Sequence, residues 1–337
     1  MNLNGVEIMK PDIKVDISVV IPVYKAEACL KELYRRLVES LESLQLTFEI
    51  IMIEDCGNDG SWNVIREIAS QDHRLRGFKL SRNFGQHHAI TAGLDQAKGT
   101  WTVIMDCDLQ DKPEDIRRLI EKTHEGFDIV IARNVLQRDS YFKEVFGRIY
   151  YKIFSWLADY SPENGARCFR IISSDATQAL KAMREQSRSI NTLCIWMGFS
   201  YTYMDVETQP RFAGKSSYNI RQLLNRATQI IVAFSNKPLR ISISVGFTMA
   251  GCSLIYAIYI FTKAAMYDIP VPGWSSLITS FYFIGGLILA NLGIVGVYLG
   301  KTFDEMKGRP LYLIARRTDS EGSGDTKLLF LNDEKMS

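Results

Sequence analysis

Two acidic pairs carry the residue types and spacing that could do chemistry. Asp106-Cys107-Asp108 follows the apolar run Val103-Ile104-Met105 and leads into Leu109-Gln110-Asp111. Carboxylates two residues apart, on backbone leaving a strand, can converge on one cation once the chain turns. A two-carboxylate set suits Mg²⁺ or Mn²⁺ better than zinc and leaves coordination places for phosphate oxygens. A D-x-D triplet alone is more often a solvated loop; its place after a buried-strand pattern gives it weight. Glu54-Asp55 ends a second apolar run, 48–53. Carboxylates there could accept from a base N–H or ribose hydroxyls, or could instead cap the turn Cys56-Gly57-Asn58-Asp59-Gly60. His87-His88 has no third ligand at a convincing metal spacing and reads as polar contacts at a helix start.

The elements that must position these acids alternate. Short strands are expected at 17–21, 48–53, 76–80, 101–105 and 128–132. Between them, Leu30, Leu33, Leu37, Leu41 and Leu44 recur at helical spacing, and 62–69, 89–97 and 113–124 read as further helices. Strands separated by helices imply an α/β fold, a mostly parallel sheet covered by helices, with ligands beyond the carboxyl ends of the strands. The acids sit at those ends.

Charge is spread unevenly over the 337 residues. Forty Lys and Arg against 38 Asp and Glu leave a net charge of +2, which excludes a strongly basic nucleic-acid binder and an acidic disordered chain. Between residues 241 and 300 only Lys263 and Asp268 are charged. Residues 241–262 and 277–299 are each long enough to cross about 30 Å of hydrocarbon, so a two-helix transmembrane hairpin is expected. Lys237, Arg240, Lys301, Lys307 and Arg309 flank it, and the positive-inside rule would put the large N-terminal part in the cytoplasm. Residues 141–157 and 221–234 carry apolar stripes with basic flanks and read as interfacial helices or as helices covering the sheet. The expected organisation is a catalytic domain over 1–235, a hairpin over 236–303, and a juxtamembrane segment and tail over 304–337. Six cysteines without C-x-x-C spacing argue against a disulfide or zinc scaffold.

Taken in order, Val19-Val20-Ile21-Pro22-Val23-Tyr24, Glu54-Asp55, Ser81-Arg82-Asn83-Phe84-Gly85, Ala92-Gly93 and Asp106-Cys107-Asp108-Leu109-Gln110-Asp111 resemble an inverting family 2 glycosyltransferase. Arg211, Gly214, Lys215, Ser216, Ser217 and Tyr218 resemble the R-x-x-G-x-S-x-Y stretch of the branch that charges polyprenyl phosphate, the dolichol-phosphate mannose synthases and bactoprenol glucosyltransferases. The resemblance spans about residues 16–316. It implies a GT-A type fold and a membrane enzyme of bacterial inner-membrane type, multi-pass with both termini cytoplasmic. It also implies a homo-oligomer, a tetramer in relatives.

The resemblance further implies roles residue by residue. Asp106 and Asp108, with Gln110, would hold Mg²⁺ or Mn²⁺ against the diphosphate of a nucleotide sugar, UDP being mildly preferred. Pro22, Tyr24, Glu54, Asp55 and Lys215 would seat the nucleotide sugar. Arg133, Arg170, Arg211 and Ser217 would meet the acceptor phosphate, with Arg211 also serving catalysis. Arg133 reads equally well as a surface arginine after a strand. Two departures stand out. Cys168 occupies the place before Phe169-Arg170 where relatives often carry an acid, and Glu54-Asp55-Cys56-Gly57 replaces their usual Asp-Asp-Gly-Ser. A phosphate monoester has a second pKa near 6, so a polyprenyl phosphate needs little deprotonation, whereas a sugar hydroxyl would need a base. The rival expectations are a processive polysaccharide transferase, whose Q-x-x-R-W-type segment is not matched by 221–226, and an inactive nucleotide-sugar-binding membrane scaffold.

Overall fold

A computed structural model describes residues 15–134, 166–207, 209, 235–266 and 273–318. They form two units: one carries a sheet with six helices, the other two long helices.

The first unit begins with β1 (Ile17–Val23), α1 (Leu30–Glu42), β2 (Phe48–Glu54), α2 (Ser61–Gln71), β3 (Leu75–Leu80), α3 (Gln86–Gln96) and β4 (Trp101–Ile104). A 3₁₀ turn, Pro113–Asp115, opens α4 (Ile116–Thr123), and β5 (Ile129–Asn134) follows. The next described stretch carries β6 (Ala166–Ser173), α5 (Ser174–Ala182), α6 (Ile190–Trp196) and β7 (Tyr201–Val206). Much later the chain returns as β8 (Ile314–Arg317). The strand order is β7-β5-β6-β4-β1-β2-β3-β8.

β1 and β2 are buried along their whole length, as β-branched runs covered on both faces should be. Their side chains divide by parity. Val19, Ile21, Ile50 and Met52 join the core with Leu30, Leu33, Leu37 and Leu41 of α1; Val20, Ile51 and Ile53 face Ala89 and Ala92 of α3. β1 pairs in parallel with β2 and β4, Val23 opposite Glu54 and Val20 opposite Ile104, so the carboxyl ends of the three strands share one edge.

Two expectations are corrected. The sheet is mixed rather than mostly parallel: β6 runs antiparallel between β4 and β5, and β8 runs antiparallel along β3. β6 and β8 carry Arg167, Arg170, Arg316 and Arg317, which mask the strand pattern in sequence. The second correction concerns the membrane. The second unit contains α7 (Lys237–Met266) and α8 (Trp274–Met306). Among the described residues one segment, Ser280–Met306, is long and apolar enough to cross a membrane, with mean hydropathy 1.9. The two-span hairpin, and the multi-pass topology built on it, are therefore replaced by a single candidate span. The expected hairpin rested on freedom from charge over 241–262 and 277–299, which does not by itself make a span. The expected interfacial helices at 141–157 and 221–234 lie outside the described residues.

Candidate active site

The backbone leaving β4 stays beside β1, where the Met105 N–H donates to the Val20 carbonyl. It then turns through Leu109, whose positive φ of 59° accompanies a side chain buried in the core. Asp108 Oδ1 accepts the Gln110 N–H at 3.1 Å and stabilises the turn. The Gln110 carbonyl in turn accepts the Gln209 N–H at 3.0 Å. Asp106 and Asp108 thus leave the same strand end together. Burial raises the Asp106 pKa, and the Asp108 charge acts in the same direction. Asp111 is more deeply buried. Burial pushes it up to about 6, against the opposing pull of Arg167, whose Nε donates to its Oδ1 at 2.5 Å.

Gln86, the first residue of α3, donates from Nε2 to Asp106 Oδ1 at 2.7 Å. Sequence reasoning missed this residue, although it directly follows the Ser81–Gly85 run. It arrives there because Asp55 holds the preceding loop. Asp55 Oδ1 accepts the Phe84 N–H at 2.7 Å, and Oδ2 accepts the Gly85 N–H at 2.9 Å. Gly85 has φ of 96°, a conformation that suits glycine, and it opens the helix. Each Asp55 oxygen therefore already has a backbone partner, and burial raises the pKa of this acid too. Glu54 is equally buried: its Oε1 accepts the Gly57 N–H at 2.6 Å, and its Oε2 lies 3.2 Å from Lys79 Nζ.

The loops after β1 and β2 pack backbone to backbone. A Cβ on Gly57 would come within 2.7 Å of the Lys25 nitrogen. Cys56 and Asn58, on either side, both have φ of 55°. Pro22 sits inside β1 opposite Ile53, and Tyr24 beyond it is 50% exposed with the Lys25 ammonium over its ring. A further tie joins the β1 loop to the D-x-D loop: the Cys29 thiol donates to the Cys107 carbonyl at 3.0 Å.

The expected phosphate contacts divide. Arg133, next to last in β5, pairs with Asp205 of β7 at 2.7 Å and lies over the Tyr203 ring. Arg170 is wholly buried: its Nε donates to the Cys168 carbonyl at 2.9 Å, and Nη2 donates to the Arg167 carbonyl and to Asn191 of α6. Arg211, Lys215 and Ser217 lie outside the described residues. Cys168 lies opposite Asp106 when the β4–β6 register is carried past the strand end, and burial, with the Asp106 charge acting in the same direction, holds its thiol well above its ordinary pKa. Pro22, Tyr24, Glu54, Asp55, Asp106, Asp108 and Gln110 all lie at or just beyond the carboxyl ends of β1, β2 and β4, along one sheet edge.

The profile of glycosyl transferase family 2 matches residues 18–189. An uncharacterized glycosyltransferase of Synechocystis, sll0501, is 34% identical over 302 residues, covering 89% of this chain and 95% of that protein. A prophage bactoprenol glucosyl transferase homolog of Escherichia coli is 32% identical, covering 89% of this chain and 98% of its own length. The SfII prophage-derived bactoprenol glucosyl transferase of Shigella flexneri is 31% identical, covering 89% and 97%. Among solved structures, a glucosyl-3-phosphoglycerate synthase of Mycobacterium tuberculosis, bound to Mn²⁺, UDP and phosphoglyceric acid, is 17% identical over 65% of this chain and 76% of that one, with a TM-score of 0.47.

Proposed function

The chain belongs to glycosyl transferase family 2 and is related over most of its length to bactoprenol glucosyl transferases, and from that premise we propose that it transfers a sugar, with inversion, from a UDP-sugar to membrane polyprenyl phosphate. The observation that carries the reading is the convergence of Asp55 and the Asp106/Asp108 pair at one sheet edge, on strands held in parallel register through β1. The chemistry is one in-line displacement at the anomeric carbon: a phosphate oxygen of the acceptor forms the new bond as the bond to the nucleoside diphosphate breaks.

The donor set fits a divalent cation shared with a diphosphate. Asp106 and Asp108 are hard oxygen donors whose mutual repulsion a cation would relieve. Among the described residues no three His, Cys, Asp or Glu side chains form a closed metal cage, and a Mg²⁺ completed by substrate phosphates needs none. Asp106, Asp108 and Gln110 would hold the ion, which would neutralise charge on the departing nucleoside diphosphate. This chain's own residues do the remaining work. The Pro22–Tyr24 loop and the Asp55-held Phe84–Gly85 loop wall the nucleoside side, while Gln86 orients Asp106.

The acceptor assignment is supported by two features. Cys168, half-buried with its thiol pKa raised, stands where relatives often carry an acid, so an acceptor that arrives ionised is favoured. In the second unit, a groove of about 470 Å³ on α7 places Lys237 and Arg240 beside Ile241, Val245 and Met249, the charge distribution of a phosphate on an apolar chain.

The test is incubation of the full-length protein in membranes with UDP-sugars, polyprenyl phosphate and Mn²⁺ or Mg²⁺. Release of UDP together with a sugar-linked lipid is expected. UDP-sugar binding with no lipid product from any donor would sink the proposal, and the scaffold alternative would replace it.

A further inference from the structure

We infer that Arg167 is a phosphate-binding residue of this site, its guanidinium held along one edge by Asp111 and presented beside Asp106 to an oxygen of the donor diphosphate or the acceptor phosphate. The inference deepens the proposed transferase function and rests on it. It adds a cation that the sequence pattern did not single out.

The position follows from strand register. β4 and β6 are antiparallel with Ile104 opposite Arg170 and Val103 opposite Ile171. Carried past the end of β4, the same register sets Asp106 opposite Cys168 and Cys107 opposite Arg167. The contacts agree with this arithmetic. Arg167 Nε reaches Asp111 Oδ1, and the Arg167 charge acts on both Asp106 and Asp111. Arg167 therefore stands at the carboxyl edge of the sheet, among the acids.

The placement is also rigid. Nε of Arg167 grips Asp111 Oδ1 at 2.5 Å, which fixes the plane of the guanidinium fork. The backbone beneath is braced by Arg170, which donates to the carbonyls of Arg167 and Cys168 and is itself anchored on Asn191. Arg170 thereby acts from the interior, and Arg167 is the arginine it delivers to the edge.

The charge pattern identifies the ligand class. Asp106, Asp108 and Asp111 would attract a cation by themselves, and an arginine placed among them weakens that attraction. Such a mixture suits a ligand bearing both signs, a cation carried on phosphate oxygens. Asp111 supports this arrangement: its Oδ2 is buried with no hydrogen-bond partner, so the carboxylate is held there for its hold on Arg167 at the cost of an unsatisfied oxygen. Planar, two-pronged recognition of phosphate is the task at which arginine exceeds lysine.

The experiment compares R167Q, R167K and D111N with the parent protein. UDP affinity with Mn²⁺ is measured by calorimetry, the Michaelis constants for UDP-sugar and polyprenyl phosphate by steady-state assay, and folding by thermal melting. R167Q should weaken one phosphate ligand about 10- to 100-fold, with R167K recovering part of the loss. D111N, which keeps the arginine, should lose less than R167Q. Weakened UDP binding assigns Arg167 to the donor diphosphate; an intact UDP affinity with a raised constant for polyprenyl phosphate assigns it to the acceptor. Unchanged constants for every ligand, or equal losses in R167Q and D111N that follow a lowered melting temperature, would overturn the inference. A parent protein that binds UDP but forms no lipid product would sink the transferase reading and leave the UDP comparison standing.

Discussion

Gln86 Nε2 donates to Asp106 Oδ1 at 2.7 Å, so the first turn of α3 sets the orientation of the first acid of the D-x-D pair. Because Gly85 and Phe84 are bound to Asp55, the carboxylates at the ends of β2 and β4 are joined by three consecutive residues, Phe84, Gly85 and Gln86. Gln86→Ala should reduce kcat/KM about 10-fold, the usual effect of losing a hydrogen-bond partner of a metal-binding carboxylate. Gln86→Glu keeps the shape but replaces the donor with a second negative charge and should be at least as damaging. Steady-state kinetics with titrated Mn²⁺ would check both.

Asp55 should matter to folding as well as to the nucleotide. Asp55→Ala leaves two backbone N–H groups without their acceptor and should cost roughly 2 kcal/mol of stability. Asp55→Asn, which retains one acceptor oxygen, should fall between the parent and the alanine variant. Urea unfolding of the three proteins provides the comparison.

The turn after β2 makes a prediction of opposite sign at two adjacent residues. Cys56 has a left-handed φ of 55°, so Cys56→Gly should relieve strain and leave stability within about 1 kcal/mol of the parent or above it. Gly57→Ala must push against the Lys25 backbone nitrogen and should be clearly destabilising. Melting temperatures that fall equally in the two variants would contradict this account.

The segment after α8 belongs to the catalytic sheet. β8 pairs with β3, the Leu313 carbonyl accepts the Ser81 N–H at 2.9 Å, and Leu311, Tyr312 and Ile314 are buried with Val20, Ile51, Phe78 and Leu80. Ile314→Ala should cost about 2–4 kcal/mol by cavity formation. Removal of residues 310–337 should yield protein with an exposed apolar core, detectable as increased dye binding and early proteolysis.

Asp72 provides a pH test away from the site. Hydrogen bonds from the Arg74 guanidinium, and from the Tyr34 hydroxyl, hold its carboxyl well below the usual carboxylate range. A depressed folded pKa contributes stability that is complete above the unfolded value near 3.9 and is lost as pH falls towards the folded value. Asp72→Asn should therefore cost about 1–3 kcal/mol at neutral pH. The gap between parent and variant should narrow in unfolding curves taken below about pH 4.

The acids and their strand ends were legible because each needs only local information. An apolar run followed by Asp106-Cys107-Asp108 or by Glu54-Asp55 announces both a strand and the place where it stops. The leucine period of α1 announced its buried face in the same way. By contrast, β6 and β8 were hidden because arginines interrupt their patterns, and because their partners β4, β5 and β3 lie far away along the chain. The membrane expectation rested on absence of charge in 241–262 and 277–299, and among the described residues a candidate span stands only at Ser280–Met306.

By itself the sequence determined the family, the parallel core strands and the acids at their ends, since these depend on residue type and short-range spacing. Tertiary structure decided who holds those acids. Gln86 reaches Asp106 only because Asp55 pins the Phe84–Gly85 loop, and Arg167 reaches Asp111 only because β6 enters antiparallel beside β4. Such contacts join residues 20 to 56 positions apart. They are fixed by register and packing, which no local pattern encodes.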